Sequence, residues 1–401
     1  MLEAAPAAQP ALQRVERVAL IIGIVGLVFG IIGLVVNPSQ FFQSYLVAFL
    51  YCFGLTGGCL GILMIHYIGG GKWGAAIGDI ARSGSSLFWL VAIMFIPVII
   101  GAGYLYPWTN PAVMNADPLL KQKEFWLNLP VWIIRAIIYF AGLILISRTL
   151  LRWFQQWDET GDPAVRRRLR NLSGGGVVFV VLAVSFACFD WIMSLEPSWS
   201  STIYGLMISA GFMVSGWAIC IFTMTRLRNL WPLRAMLSWE NYRDVGSFML
   251  ATLIVWGYFS FDQFMLIWIG NLNDEIPWYL VRMSNGWQNV GLYLIIVQFF
   301  VCFFMLVQRG TRKNPTALGI VAALLLFGHL VELTMMVEPE FPPNPLVNHW
   351  QDLALFLGLG GIWVMLFTRQ LQQRVAVVRP AAIFEEHGEH AAPSHGALGA
   401  E

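Results

Sequence analysis

The chain has 401 residues, 58% of them hydrophobic and only 12% charged, with a formal net charge of +1. A soluble protein of this size carries about a quarter charged residues, so the composition excludes an ordinary soluble domain. The near-neutral net charge says nothing about partners, whereas its distribution along the chain does.

Runs near twenty apolar residues, the length that crosses a bilayer as a helix, recur throughout. Ten spans are predicted, at 18–36, 42–68, 86–106, 126–148, 175–195, 201–225, 245–270, 286–308, 316–337 and 350–369. The opening MLEAAPAAQPALQR places Glu3 and two prolines before its basic residues, a poor cleavable signal. Residues 1–17 are therefore expected as a cytoplasmic N-terminus and 18–36 as a retained peripheral helix. In the second span, LTGGCLGILMIHYIGGG (55–71) carries glycines that permit close helix contact. His66, at its cytoplasmic end, reads as a boundary residue or a point of proton uptake. RRRLR (166–170) resembles a nucleic-acid patch out of context. Beside a span it reads as an orientation signal touching anionic lipid, and no nucleic-acid partner is expected. Trp108, Trp199, Trp278 and Trp350 fall in the outer loops, as an interfacial aromatic belt does. The tail, 370–401, is rich in Ala, Gly and His and reads as a flexible cytoplasmic extension. Its His387, His390 and His395 are not expected to form a metal site.

If the N-terminus is cytoplasmic, ten crossings return the C-terminus to the same side. Twenty of the 24 Lys and Arg then lie there, among them Arg234 and Arg379. Lys121, Lys123 and Arg282 lie opposite, and Arg135 falls within a span. That asymmetry orients the chain by the positive-inside rule, with both termini expected on the cytoplasmic side. The five cysteines sit singly in apolar spans without the convergent thiolates of an iron–sulfur cluster. Only His66 and His329 lie in or at the ends of spans, too few for a two-haem cytochrome b. No redox centre or metal site is expected on this chain.

The fifth and ninth spans end alike, in FDWIMSLEP (189–197) and VELTMMVEP (331–339). An offset of 142 residues aligns Asp190 with Glu332, Glu196 with Glu338, and Pro197 with Pro339. Four spans separate the copies, so both cross in one direction. The expected fold is all-α and polytopic, with two parallel four-helix bundles (42–196, spans 2–5; 201–338, spans 6–9) and two peripheral helices. Each proline is expected to end its helix, leaving Glu196 and Glu338 at the outer mouth beside Asp274 and Glu275. Asp190 and Glu332 then lie one to two turns below the surface. Arg135, Asp262 and His329 fall in the same band of depth, His329 on the same helix face as Glu332. A central charge costs about 2.5–3.5 kcal/mol on insertion scales, so the five groups are expected to face the interior. A proton path or polar site is one reading, and a structural ion pair with hydrogen-bonded acids is the other.

MSLEPSWSSTIYG (193–205), FSFDQFMLIWIGNLNDE (259–275) and GHLVELTMMVEP (328–339) resemble motifs of a known family. They are similar to the smaller, ActF-type, NrfD-like (polysulfide-reductase-like) membrane subunit of bacterial alternative complex III. The length, the ten spans and the shared side of both termini agree with that resemblance. Ser198, Ser200 and Asp262 depart from its pattern. The resemblance implies a complex that oxidises quinol, such as menaquinol, and passes electrons to a periplasmic acceptor. It implies as partners a larger NrfD-like sister subunit, a periplasmic iron–sulfur subunit, and multihaem and monohaem cytochrome c subunits. Haem and iron–sulfur clusters would belong to those partners, and quinol oxidation to the larger sister. For this chain it implies a scaffold with a proton-conducting role, with a quinone site as a further option. A stand-alone secondary transporter and a purely structural anchor are the rival readings.

Overall fold

The computed structural model describes residues 8–116, 118–230, 237–341, 346 and 349–375. The expectations for residues 1–7, for Arg234 and Arg379, and for the tail beyond 375 lie outside the described residues. Ten helical segments are long and apolar enough to cross a membrane, and the described residues contain no strand. The chain is an all-α polytopic protein.

In order, α1 (Ala8–Val36) and α2 (Pro38–Gly69) lead to a segmented third crossing of α3 (Trp73–Ser85), α4 (Phe88–Met94), α5 (Ile96–Ile100) and α6 (Ala102–Leu105). Short α7 (Pro111–Ala116) and α8 (Pro118–Gln122) precede α9 (Leu129–Thr160), α10 (Pro163–Trp191), α11 (Tyr204–Leu227) and α12 (Trp239–Gly270). After α13 (Ile276–Arg282), the eighth crossing combines α14 (Trp287–Tyr293), a π-helical stretch (Leu294–Val301) and α15 (Cys302–Val307). Finally come α16 (Arg309–Lys313), α17 (Pro315–Val337) and α18 (Trp350–Val375).

Local chemistry sets many of these ends. Asn37, Asp162 and Asn314 each precede a proline and accept a hydrogen bond from a first-turn N–H, at 3.3, 2.8 and 2.9 Å. The proline has no N–H to satisfy and presets the helical φ. Gly70 (φ 67°) and Gly161 (φ 64°) close α2 and α9 in a backbone region that other residues resist.

Several helices extend beyond the predicted apolar runs. α9 reaches Thr160 rather than 148, and α10 starts at Pro163, so RRRLR is helical. The third apolar span is Ala76–Ile100 rather than 86–106. Arg82 enters it because its guanidinium lies 3.6 Å from the Phe154 ring centroid and 2.8 Å from Asp79. The two Glu-Pro helices also end differently. α17 runs to Val337, next to Glu338, as the proline argument expects. α10 stops at Trp191, and a 3-10 turn over Met193–Leu195 intervenes before Glu196. At that copy the helix ends before the proline acts.

α2 is the central helix, with its most apolar stretch wholly buried. It packs on α3, α10, α11 and α18. α2 and α11 cross at Gly58 and Gly216, where a Cβ on Gly58 would lie 2.2 Å from the Phe212 carbonyl oxygen. Any side chain there would force the helices apart. α1 pairs with α18 in the same manner: a Cβ on Gly26 would lie 2.5 Å from the Gly358 nitrogen. The inner helices share one contact pattern. α2 packs on α3 and α10, with α10 on α9; α11 packs on α12 and α17, with α17 on the π-helical stretch.

Candidate functional site

Asp190 lies in the last turn of α10 and is 1% exposed. Arg135, from α9, grips it with both faces of its fork: Nε donates to Oδ2 at 2.8 Å and Nη2 to Oδ1 at 2.7 Å. Tyr139, one helical turn beyond Arg135, donates its hydroxyl to Oδ2 at 2.9 Å. The Trp126 indole donates to Oδ1 at 3.1 Å. Arg135 in turn lies 4.0 Å from the Trp126 ring centroid and donates to the Trp126 carbonyl at 2.9 Å. Trp132 and Ser194 donate to the Asp190 backbone carbonyl. Each carboxylate oxygen thus accepts two hydrogen bonds, and a full positive charge balances the negative one. Such an arrangement holds charge in place.

Glu332, on α17, is 2% exposed and has no such partner. Its Oε1 accepts from the Trp256 indole of α12 at 2.6 Å, and its Oε2 lies 2.9 Å from Nδ1 of His329, one turn earlier on α17. Among the described residues no Arg or Lys pairs with it. Gly211 of α11 makes room for the carboxylate, since a Cβ there would lie 2.8 Å from Oε2. The His329 ring is 1% exposed and packs between Tyr51, at 5.8 Å, and Phe212, at 5.6 Å.

His329 Nε2 is buried without a hydrogen-bond partner. That holds whatever the protonation state. If Nδ1–H donates to an ionised Glu332, Nε2 is an unfilled acceptor. If the imidazole is protonated, or Glu332 carries the proton and donates to Nδ1, Nε2–H is an unused donor. Gln298 Oε1 is also buried and unpartnered. Gln298 lies on the π-helical stretch, and a Cβ on Gly328, beside His329, would come within 2.4 Å of its Oε1. π-Helical turns within helices are frequent at functional sites.

The five residues expected to share a polar band therefore form two separate pairs and one outlier. Between the pairs stand aromatic rings: His329 meets Phe212, Phe212 meets Phe53 at 5.7 Å, and Phe53 meets Trp191 at 5.1 Å. Trp191 lies 6.3 Å from Tyr139, the ligand of Asp190. No hydrogen bond joins the two clusters among the described residues. Asp262 is half-buried and makes no hydrogen bond or ion pair with them. Its neighbour Gln263 is the buried one, accepting a hydrogen bond from Ser201.

At the Glu-Pro end, Glu196 accepts hydrogen bonds from the hydroxyl and N–H of Ser198. Glu338 and Glu275 are half-buried and Asp274 is exposed. His66 lies in the last turn of α2, its ring against Gly74 and 5.0 Å from Trp73. It contacts neither pair.

Sequence reasoning missed Trp126, Tyr139, Trp256 and Gln298. Only Tyr139 had a local signal, four residues after Arg135 on the same helix face. Arg282, one of the three basic residues of the outer side, is 1% exposed. Arg282 donates to the carbonyls of Met335 and Met336 at the end of α17, at 3.1 and 2.9 Å, and to Glu340 at 2.7 Å. It lies 3.6 Å from the Trp278 ring centroid and donates to the Trp278 carbonyl. The pairing of Arg with the ring and carbonyl of one tryptophan repeats that of Arg135 with Trp126. No protein-family model matches the chain, and no curated protein matches it in sequence.

Proposed function

We propose that this chain is a membrane-embedded subunit of a quinol-oxidising electron-transfer complex of the alternative-complex-III type, in which His329 and Glu332 handle protons. The complex assignment rests on the motif resemblance. The proton role rests on one observation: a buried carboxylate and imidazole in contact, with no counter-cation and no partner for the distal ring nitrogen among the described residues. In this reading a proton arrives at Nε2 and the Nδ1 proton passes to Oε2. The pair then holds a neutral Nε2–H imidazole and a neutral carboxyl group. Trp256 donates to Oε1, the oxygen that the transfer leaves untouched, so that hydrogen bond is available in both states.

The saturated surroundings of Asp190 favour a structural role for that acid, so the proton route is assigned to the second half alone. The chain then acts as scaffold and proton conductor, with redox chemistry left to its partners. Purification through a tag on this chain, followed by quinol:cytochrome c turnover of a Glu332→Gln variant, tests the reading. Co-purified haem subunits with depressed turnover and proton release are expected. A chain that purifies without haem partners overturns the complex assignment and favours a transporter. Full turnover and proton release in an assembled variant overturn the proton role.

A further inference from the structure

A cavity of about 360 Å³ opens where the start of α12 meets α16, lined by Trp239, Arg243, Arg309, Arg312 and Lys313. Among the described residues no acidic side chain lines it. Asp244 neutralises Arg243 from the side, at 2.8 Å. Arg312 is held in place by Ser247, to which Nη1 donates at 2.6 Å. Arg309 and Lys313 are exposed and make no ion pair with the described residues. The Lys313 ammonium lies 4.4 Å from the Trp239 ring centroid, and the Arg243 guanidinium 5.2 Å from it. Four cations therefore converge around one half-exposed tryptophan, and among the described residues Asp244 is the carboxylate ion-paired with one of them.

We propose that this cavity binds a phosphate-bearing ligand, and that the ligand is the headgroup of an anionic membrane lipid. Arg supplies forked donors matched to phosphate oxygens, and Lys adds a mobile point charge. The lipid source is favoured by what lies alongside. The exposed faces of α12 and the eighth crossing descend from the cavity with Ile254, Val255, Tyr258, Phe300, Phe304 and Val307 outward, an apolar surface for acyl chains. Trp239 stands at the junction, where an interfacial aromatic is at home. Basic pockets between transmembrane helices bind such headgroups through these chemistries. Three or four cations exceed what one phosphate needs, so a diphosphatidylglycerol headgroup is expected to bind better than phosphatidylglycerol.

The test is thermal unfolding of the detergent-purified protein, in whatever assembly it purifies, with four added probes: diphosphatidylglycerol, phosphatidylglycerol, phosphatidylcholine and inorganic phosphate. Wild type is expected to gain several degrees with diphosphatidylglycerol, less with phosphatidylglycerol, and nothing with phosphatidylcholine. The Arg309→Gln/Lys313→Gln variant is expected to lose at least tenfold in apparent lipid affinity while keeping its lipid-free midpoint. An equal, variant-sensitive gain with inorganic phosphate would keep the phosphate site and overturn the lipid source. No response of wild type to any phosphate, or an identical response in the variant, would overturn the site. Both residues are solvent-facing. Arg309→Gln alone gives the same reading if the double variant folds poorly.

Discussion

Asp190 and Glu332 occupy equivalent places in a repeated sequence pattern, yet their surroundings differ in kind. Asp190 accepts four side-chain hydrogen bonds, two of them from Arg135. Glu332 accepts one from Trp256 and shares one with His329. The first acid is paired with a guanidinium, which is always charged; the second contacts an imidazole, which is charged only when protonated. Arg135 reaches the acid in the first half; Arg282, which pairs with Trp278 as Arg135 does with Trp126, instead holds the end of α17 and Glu340. Two acids at matching positions of one sequence pattern thus have different partners: a guanidinium, a phenol and an indole around Asp190, an imidazole and an indole around Glu332.

The largest effect that would break this contrast is at Asp190. Asp190→Ala leaves the Arg135 guanidinium buried and unpaired, a loss of about 3–5 kcal/mol for a broken buried pair. A collapse in membrane yield and a lowered unfolding midpoint are expected. Replacing both partners with apolar residues, Arg135→Met with Asp190→Leu, should recover most of the loss. A functional rather than structural ion pair would recover stability but not turnover in the double variant.

Glu332→Gln sharpens the contrast from the other side. The amide keeps the size of the carboxyl group and an oxygen for the Trp256 indole, so the unfolding free energy should stay within about 1 kcal/mol of wild type. Proton-coupled turnover should fall about 100-fold, the low end of what a positioned acid–base group contributes. A variant that loses stability and retains turnover would make Glu332 the twin of Asp190. Gly211→Ala probes the same carboxylate without removing it. The new Cβ would stand 2.8 Å from Oε2, and overpacking of this kind costs about 1–3 kcal/mol. Turnover should drop with it, because Oε2 is the atom that faces His329.

Much of this architecture was legible in the chain itself. Hydropathy located ten spans because a bilayer demands continuous apolar length, and the helix starts at Asn37, Asp162 and Asn314 carry their own cap-and-proline signals. The charged residues within spans stood out for their cost in hydrocarbon. What they touch did not. Trp256 is 76 positions from Glu332 and looks like any other apolar residue of α12. Trp191, Phe53 and Phe212, which keep the two acids apart, have no sequence feature that distinguishes a partition from ordinary core. Depth alone therefore grouped five residues that packing divides. Helix ends were missed where charge stays helical, as at RRRLR, or is buried with a partner, as at Arg82.

The smallest effects test the contrast one hydrogen bond at a time. Trp256→Phe removes a donor from Glu332 and leaves the carboxyl group with His329 alone. A hydrogen bond to a charged group contributes about 1.5–3 kcal/mol, and one between neutral groups about 0.5–1.5 kcal/mol. Tyr139→Phe removes a donor from Asp190, which keeps both Arg135 contacts and the Trp126 indole. That second loss should be about 1 kcal/mol or less, because the remaining donors already hold the anion. Unfolding midpoints of the two variants, read against wild type in the same detergent, give the ratio directly. A Trp256→Phe loss larger than that of Tyr139→Phe means that Glu332 depends on few donors, as a group that must take up and release a proton does. Equal losses would mean that the two halves hold their acids alike, and that the repeat is one of structure only.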